Sequence, residues 1–457
     1  MSGQCGPRKL LSVSDLKLPD GRLVPVDGAS DSDLDLAIGR LRKKSAEHAD
    51  EADRLDDLRR NRRSGGRWLT RGVGGIGAAS FLADVGHEVP TALLPSFLST
   101  TLGASGAALG LIEGIADGCA GVARFAGGAL ADDPERRRRS ALGGYTATAV
   151  FSSLIGVTTA VWQVGVLRAT AWSARGLRVP ARNALLADVV PREAYGRAYG
   201  FERMMDNLGA IGGPLLASLL VALVGVRSAM LVSVVPGLLA AVAIVYAIRA
   251  TRHATRQERR PLRFQLRPVL KGDLGRLFVG IGAFEIGNVA ATLLILRAVL
   301  LLEPAHGKTE ATQIGLWLYT GYNVVAAAAS IPGGRMGDRR GNLLVLTIGA
   351  AAFAAAFVGF AITGPQIALL ALCFAVAGLG IGFAETAENA AVAGLAPTHV
   401  RGSAFGALAT IQSFGNFAAS VLAGLLFTTV SPEAAFLFLA ACMTLAVAAF
   451  ITTGRST

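Results

Sequence analysis

The order of apolar and polar positions divides the chain into a polar beginning and a long apolar remainder. Residues 1–67 are rich in charge, whereas the remainder contains apolar runs of roughly 18–25 residues, each long enough to cross a hydrocarbon core as a helix. The runs do not alternate in polarity, which favours helices over the strands of a membrane barrel. The pattern predicts twelve spans, at 72–98, 104–130, 141–160, 161–181, 204–224, 228–248, 274–301, 311–332, 343–363, 366–387, 404–427 and 433–452.

The two halves of the apolar region repeat each other at one offset. Each half contains an acidic turn, GGALADDPERRRR in the first and GGRMGDRRGN in the second. The aspartates of these turns, Asp132 and Asp338, are 206 positions apart. The same offset relates Asn183 to Asn389, Pro191 to Pro397, Gly196 to Gly402 and Gly200 to Gly406. A single offset that holds over this length indicates a duplicated unit, as in many solute carriers.

The duplication and the charge runs predict four regions. Residues 1–67 form a charged cytoplasmic tail, 68–249 a six-helix bundle, 250–273 a basic cytoplasmic linker, and 274–457 a second six-helix bundle with a short tail. The tail has no apolar segment of the signal-peptide type. Its composition from residue 30 to residue 63 favours partial helix with a cap at Ser30 or Asp31. It is either a solvated tail or a membrane-surface or regulatory helix.

Composition and charge placement support a membrane protein. Hydrophobic residues make up 52% of the chain and charged residues only 17%, more apolar than a soluble protein needs. The net charge of +12 could indicate nucleic acid, but the basic residues lie in alternate connections, and the other side carries only Arg227 and Lys308. The positive-inside rule places the basic side in the cytoplasm. We therefore expect a multi-pass protein of the bacterial plasma membrane, in contact with lipid, with both termini cytoplasmic and no nucleic-acid partner.

The sequence offers no sign of an enzyme. Its four cysteines, Cys5, Cys119, Cys373 and Cys442, form no CxxC pair and suggest neither a disulfide framework nor a metal site. There is no P-loop, HExxH or GxSxG motif, and the connections are too short for a separate catalytic domain. We expect no enzymatic activity, no cofactor and no bound metal. A membrane sensor that uses residues 1–67 is the alternative from a different class.

The acidic turns carry a family resemblance. The second turn follows the loop motif G-x-L-x-D-R-x-G-R-R of the major facilitator superfamily, and the first follows it with departures at Asp133 and Glu135. The chain resembles that family from about residue 70 to 452. The resemblance implies an all-α fold of twelve helices in two pseudo-symmetric bundles, and a cytoplasmic gate; the alternative is that these charges only fix topology. The gate residues so implied are Gly128, Asp132, Arg136, Gly334, Asp338, Arg339 and Gly341.

Two features resemble the proton-coupled exporters of the family. Arg168 lies within the fourth span, where a guanidinium needs an acidic partner unless it reaches the interface by snorkelling. Gly209, Gly213 and Pro214 resemble the glycine–proline signature of the antiporters, although GxxxG also serves ordinary helix packing. The stretch from Arg175 to Gly209 is similar to a bacterial, efflux-type branch of presumed permeases.

Acidic residues inside the spans are the candidates for ion coupling. Asp84 and Glu88 lie one helical turn apart, as do Glu113 and Asp117. A carboxyl group moved out of water favours its neutral form, so it can load and release a proton. The alternative for Glu113 and Asp117 is packing of the first two helices, and for Asp206, Glu385 and Glu388 it is interfacial pairing with arginines. The coupling and cavity candidates are Asp84, Glu88, Glu113, Asp117, Arg168, Trp172, Glu285 and Asn288.

Together these features predict a secondary transporter that works by alternating access around a cavity formed, as the resemblance implies, by the first, fourth, seventh and tenth helices. We expect a monomer that exports a small, amphipathic molecule in exchange for protons. The alternative is a proton-coupled importer of an organic anion or metabolite.

Overall fold

The computed structural model describes residues 67–250 and 266–455, together with 15–17, 23–25, 30, 33–34 and 37. The chain separates into two units, Met1–Arg67 and Trp68–Thr457. The first unit contains a feature that the sequence pattern does not predict, an antiparallel pair of short strands, β1 (Asp15–Lys17) and β2 (Leu23–Pro25).

The helix predicted from residue 30 to residue 63 falls mostly outside the described residues. At its start, the backbone N–H of Asp33 donates to the Ser30 hydroxyl at 3.2 Å, the contact expected of a capping residue.

Twelve long helices are described in the second unit, and they agree with the twelve predicted spans. A π-helical turn (Phe97–Thr101) extends the first helix, and a single helical turn (Leu266–Val269) precedes the seventh. The twelve are α1 (Arg71–Ser96), α2 (Gly106–Ala131), α3 (Pro134–Ser153), α4 (Val161–Val189), α5 (Tyr195–Val232), α6 (Val234–Ala250), α7 (Gly272–Gly287), α8 (Ala291–Arg340), α9 (Asn342–Ile362), α10 (Ile367–Leu395), α11 (Arg401–Thr429) and α12 (Pro432–Arg455).

Two of these helices each contain a sharp break. Gly225 within α5 and Gly307 within α8 have φ of 77° and 73°, values that glycine adopts without steric cost. The end of α5 therefore belongs to the sixth span, and residues 291–306 of α8 complete the seventh. Seven continuous helical segments, some holding more than one span, are long and apolar enough to cross a membrane. Helices α1, α2 and α4 are not among them, and these three carry Asp84, Glu113 and Arg168.

Several helices run further than the apolar runs predict, all toward one end of the molecule. Helix α4 continues eight residues past its predicted limit at 181, α8 reaches Arg340, and α10 reaches Leu395. Hydropathy marks only the part that lies in lipid, while backbone hydrogen bonds continue past it. We call this end, at which α2, α4, α8 and α10 finish, the basic end, because the arginine-rich connections start there.

The two bundles touch closely at the basic end. A Cβ added to Gly128 of α2 would lie 2.7 Å from the Cα of Gly406 on α11. At the equivalent place on α5 and α8, a Cβ at either Gly196 or Gly334 would collide with the backbone of the other. Only glycine permits these approaches, as in other close helix crossings.

Helices α2 and α11 separate toward the opposite end. Along the glycine face of α2, a Cβ at Gly121 would be 3.9 Å from Ser413 of α11, and one at Gly118 or Gly114 would meet nothing within 4 Å. The two bundles are therefore in contact at the basic end and separate toward the opposite end. The space between them is the candidate site.

Candidate transport cavity

A cavity of about 790 Å³ lies between the bundles. Helices α1, α4, α7 and α10 line it, as the resemblance implies, and α2, α5 and α11 contribute as well. Of the predicted residues, Asp84, Asp117, Glu285 and Asn288 are on its wall. Glu88, Glu113, Arg168 and Trp172 instead form a connected cluster with the wall residues of α1 and α2.

Arg168 is the centre of that cluster. It is 1% exposed, and its Nη2 lies 2.9 Å from Glu113 Oε1, while Nη1 donates to the Thr91 hydroxyl at 3.0 Å. Its guanidinium carbon also lies 3.4 Å from the centre of the Trp172 ring, a cation–π contact. The snorkelling alternative is therefore excluded, because the charge is satisfied inside the protein. Through this contact Glu113 joins α2 to α4. The alternative role, packing of α1 on α2, does not account for the contact.

Trp172 connects this cluster to the cavity wall. Its indole N–H donates to Asp117 Oδ1 at 3.1 Å, and its ring meets the His87 ring edge-on with centres 5.6 Å apart. Asp117 is thereby held on the wall by α4, although it belongs to α2.

On α1, His87 lies between the two predicted carboxylates. Its Nδ1 is 3.4 Å from Asp84 Oδ1, and its Nε2 is 3.4 Å from Glu88 Oε1. The Nδ1 also lies 2.8 Å from the Ala83 carbonyl oxygen, which can only accept, so this nitrogen carries the hydrogen. The Nε2 is then the atom that can take a proton from Glu88 or return it.

Asp84 faces two arginines of α4 without a hydrogen bond to either. Its Oδ1 lies 3.8 Å from Arg178 Nη2 and 3.9 Å from Arg175 Nη2. This oxygen is buried and has no hydrogen-bond partner among the described residues. One carboxylate therefore serves two cations at distances that a small movement would close or open.

The Gly209–Gly213 step packs α5 onto the same turn of α1. A Cβ at Gly209 would lie 2.7 Å from Asp84 Cβ, and one at Gly213 would collide with Glu88 Cβ. Pro214 is exposed. Both glycines are thus in close helix packing, which holds the backbone of α5 against Asp84 and Glu88.

The two acidic turns meet helix N-termini in the opposite bundle. Asp132 accepts from the Ser403 backbone N–H at 2.9 Å and from the Ser403 hydroxyl, at the start of α11. Asp338 accepts from the Gly196 and Arg197 backbone N–H groups at 2.7 and 3.2 Å, at the start of α5, and from Arg197 Nε at 2.7 Å. Backbone N–H groups at a helix start favour a negative partner.

Three predicted gate glycines have clear structural roles, and two predicted arginines do not. Gly128 and Gly334 are in the close contacts described above, and Gly341 ends α8 with φ of 91°. The backbone N–H of Arg136 donates to Asp133, and Arg339 is exposed.

Among the four arginines from Arg136 to Arg139, Arg137 is the one buried at the basic end. It is buried, it pairs with Asp188 and its Nε donates to the Ala131 carbonyl at 2.6 Å. Because four arginines follow one another, the sequence does not show which of them is buried. The helix begins at the cap Asp133, and its phase turns the fourth residue after the cap, Arg137, inward.

Polar pairs also join the bundles deeper inside. Asn183 Nδ2 donates to Asn389 Oδ1 at 2.7 Å, which connects the two duplicated positions directly. Arg203 Nη1 lies 2.9 Å from Glu385 Oε2. Asp206 and Glu385 therefore pair with arginines, as in the alternative of interfacial pairing. The pairs lie within the protein, on the cavity wall. Glu388 instead accepts from Gln412.

The comparison with known families decides what this arrangement is. A family model described as Major Facilitator Superfamily matches residues 76–302 and 288–456, nearly all of the helical unit. The chain belongs to the Major Facilitator Superfamily. The resemblance seen in the acidic turns is confirmed, and the cavity between the two bundles is that of a multi-pass membrane transporter of this family.

Similar proteins include transporters of this family. An uncharacterized MFS-type transporter of Methanocaldococcus jannaschii is 28% identical over 375 residues, which cover 81% of this chain and 92% of the relative. A multi-drug resistance efflux pump PmrA homolog of Lactococcus lactis is 33% identical over 67 residues, 15% of this chain and 56% of the relative. A bacterial homologue of the iron transporter ferroportin, solved in an outward-facing state, superimposes with a TM-score of 0.67 at 16% identity, over 84% of this chain and all of that one.

Proposed function

We propose that this protein is a proton-coupled exporter of a small molecule and that it works by alternating access. The observation that carries the proposal is the arrangement of Asp84, His87 and Glu88 on α1 opposite Arg175 and Arg178 on α4, at the wall of a cavity that is shut at one end.

Asp84 is the switch. In its charged form it attracts both arginines of α4, and a proton on Asp84 removes that attraction. Glu88, with a side chain 27% exposed, receives protons from the open side, and His87 bridges the two acids. Loss of the α1–α4 attraction changes the packing of the first bundle, because α5 is held against the same turn of α1 by Gly209 and Gly213.

The gate follows from the contacts at the basic end. When the positive-inside rule is applied, that end lies in the cytoplasm, so this conformation is closed to the cytoplasm and open to the outside. The contacts of Asp132 with α11 and of Asp338 with α5 hold it closed. In the opposite state these contacts are broken, and the helices converge at the other end.

The direction of export rests on two pieces of support. The stretch from Arg175 to Gly209 resembles efflux-type permeases, and a 67-residue segment matches the PmrA homolog described as an efflux pump.

One observation favours a second candidate, proton-coupled import of an organic anion. Arg175 and Arg178 both lie within 4 Å of Asp84, and Arg124, within electrostatic range of Arg175, donates to the Ser413 hydroxyl across the cavity. An anion that binds Arg175 would leave Asp84 to a proton, and the two would then cross together.

The test begins with growth of a deletion strain on a panel of toxic compounds and metabolites. A compound to which wild type confers tolerance is then followed in inverted membrane vesicles. Export predicts uptake into these vesicles when their interior is acidic, and Asp84→Asn should lose that uptake at equal protein level. Glu135→Gln, a change on the surface, is the control and should behave as wild type. Full gradient-driven uptake by Asp84→Asn would reject the switch, and uptake only into right-side-out vesicles would favour import.

A further inference from the structure

Glu388 on α10 is the most deeply buried acid near the cavity. The residue is 0% exposed. Its Oε2 accepts from Gln412 Nε2 of α11 at 2.7 Å. Its Oε1 is buried and has no hydrogen-bond partner among the described residues. A buried carboxylate with a single neutral donor is costly, because its charge has lost water and gained no counter-charge.

The equivalent contact in the first half of the duplication contains a counter-charge that the contact of Glu388 lacks. The offset of 206 relates Glu388 to Arg182 and Gln412 to Asp206. Arg182 Nη1 and Asp206 Oδ1 are 3.3 Å apart and join α4 to α5, as Glu388 and Gln412 join α10 to α11. The same contact is therefore built twice. In the first half it is a base with an acid, and in the second it is an acid with a neutral amide.

The charges around Glu388 do not compensate it. Glu285 of α7 and Glu385, one turn away on α10, are both acids that interact with it. The cation that interacts with it, Arg203 of α5, is already bound to Glu385 and Asp206. On α8, the phenols of Tyr319 and Tyr322 interact with Glu385, and the described α9 has no titratable side chain. On α4, Arg182 is held by Glu202 at 2.7 Å.

We propose that Glu388 is a second proton-binding site, located in the C-terminal bundle and bearing its proton on Oε1 in this conformation. A metal ion does not fit, because it needs several oxygen ligands and the described residues contain no group of three or more acids, histidines or cysteines arranged to hold one.

The location supplies a route for release. Glu385 is on the cavity wall, and its pair with Arg203 crosses from one bundle to the other. Opening of the basic end separates this pair and brings water within a helical turn of Glu388. Each cycle then carries one proton on α1 and one on α10. This coupling rests on the proposed proton-driven cycle, whereas the proton on Glu388 does not.

The experiment needs no transported substrate. Infrared spectra of the full-length purified protein are recorded at neutral pH in H₂O and in D₂O, and the carbonyl stretch of protonated carboxylic acids is compared between variants. Wild type should show a band that Glu388→Gln reduces by one carboxyl per chain. Glu385→Gln should retain it, because Glu385 already has a cation. Gln412→Lys is a second variant that keeps the carboxyl and should reduce the band by the same amount, because it supplies the base that the first half contains.

The results separate the two proposals. A band unchanged by both Glu388→Gln and Gln412→Lys would overturn the site. A band that disappears on addition of sodium or potassium chloride at constant pH would overturn it too, since a cation would then be the ligand. A band lost as expected establishes the site even where Asp84→Asn still transports normally, in which case the proton switch on α1 alone fails.

Discussion

At the scale of single residues, the ionisable side chains buried among α1, α2 and α4 are arranged in contact with one another. Arg168 illustrates the rule, because Glu113, Thr91 and the Trp172 ring together replace the water that a guanidinium would otherwise need. Removal of one member leaves the other uncompensated, whereas removal of both leaves no charge to satisfy.

The first prediction follows from that asymmetry. Arg168→Met should lower the free energy of unfolding by about 2–4 kcal/mol, since Glu113 remains beside an apolar side chain. Arg168→Met combined with Glu113→Leu should recover most of the loss. Thermal unfolding of the purified protein in detergent measures both.

The matched control is the exposed pair of Arg139 and Glu135 on α3. Arg139→Met should change stability by less than about 1 kcal/mol, because water screens this pair. Equal losses for the single and double variants of the buried pair would contradict the account.

The sequence identified some of these residues and missed others for a physical reason. Asp84, Asp117, Glu285 and Asn288 could be found on the cavity wall because a charged or amide side chain in an apolar run is unusual by itself. Helix phase and tertiary partners could not be read from the runs. The sequence therefore points to Arg136, whereas the structure turns Arg137 inward.

At the scale of helices, the glycine face of α2 determines how closely the bundles approach. A Cβ at Gly128 meets the α11 backbone at 2.7 Å, while one at Gly110, on the same face, meets nothing within 4 Å. The same substitution at the two positions should therefore have opposite outcomes.

We predict that Gly128→Ala opens the basic end and that Gly110→Ala does not. The measurement is the rate at which a thiol reagent labels Asn183→Cys, a buried position between the bundles, with the four native cysteines replaced by serine. Gly128→Ala should raise this rate several-fold. Equal rates in the two variants would show that the α2–α11 contact does not set the gate.

Hydropathy alone predicted the twelve helices, because lipid requires about the same apolar length of each. It could not place their ends at the basic side, where α4, α8 and α10 continue as helix beyond the apolar run. It also gave no signal for the pair β1 and β2, whose three-residue strands are too short for a pattern to show.

At the scale of the whole molecule, the duplication repeats one contact between an acidic turn and a helix N-terminus at the basic end. The offset that relates Asp132 to Asp338 also relates Arg197 to Ser403, so each acidic turn contacts the equivalent position of the other bundle. The cavity between them is not symmetric. The first bundle supplies arginines of α2, α4 and α5 to the wall, whereas the described wall residues of the second bundle include Glu285 and Glu385 and no cation.

Reciprocal movement of the two ends tests the central claim most directly. Spin labels at Glu193→Cys and Arg339→Cys report the distance across the basic end, and labels at Ser99→Cys with Lys308→Cys report the opposite end; all four positions are exposed. As the pH is changed in reconstituted vesicles, we predict that the first distance lengthens while the second shortens. Two distances that stay fixed, or that change in the same direction, would contradict alternating access by these bundles.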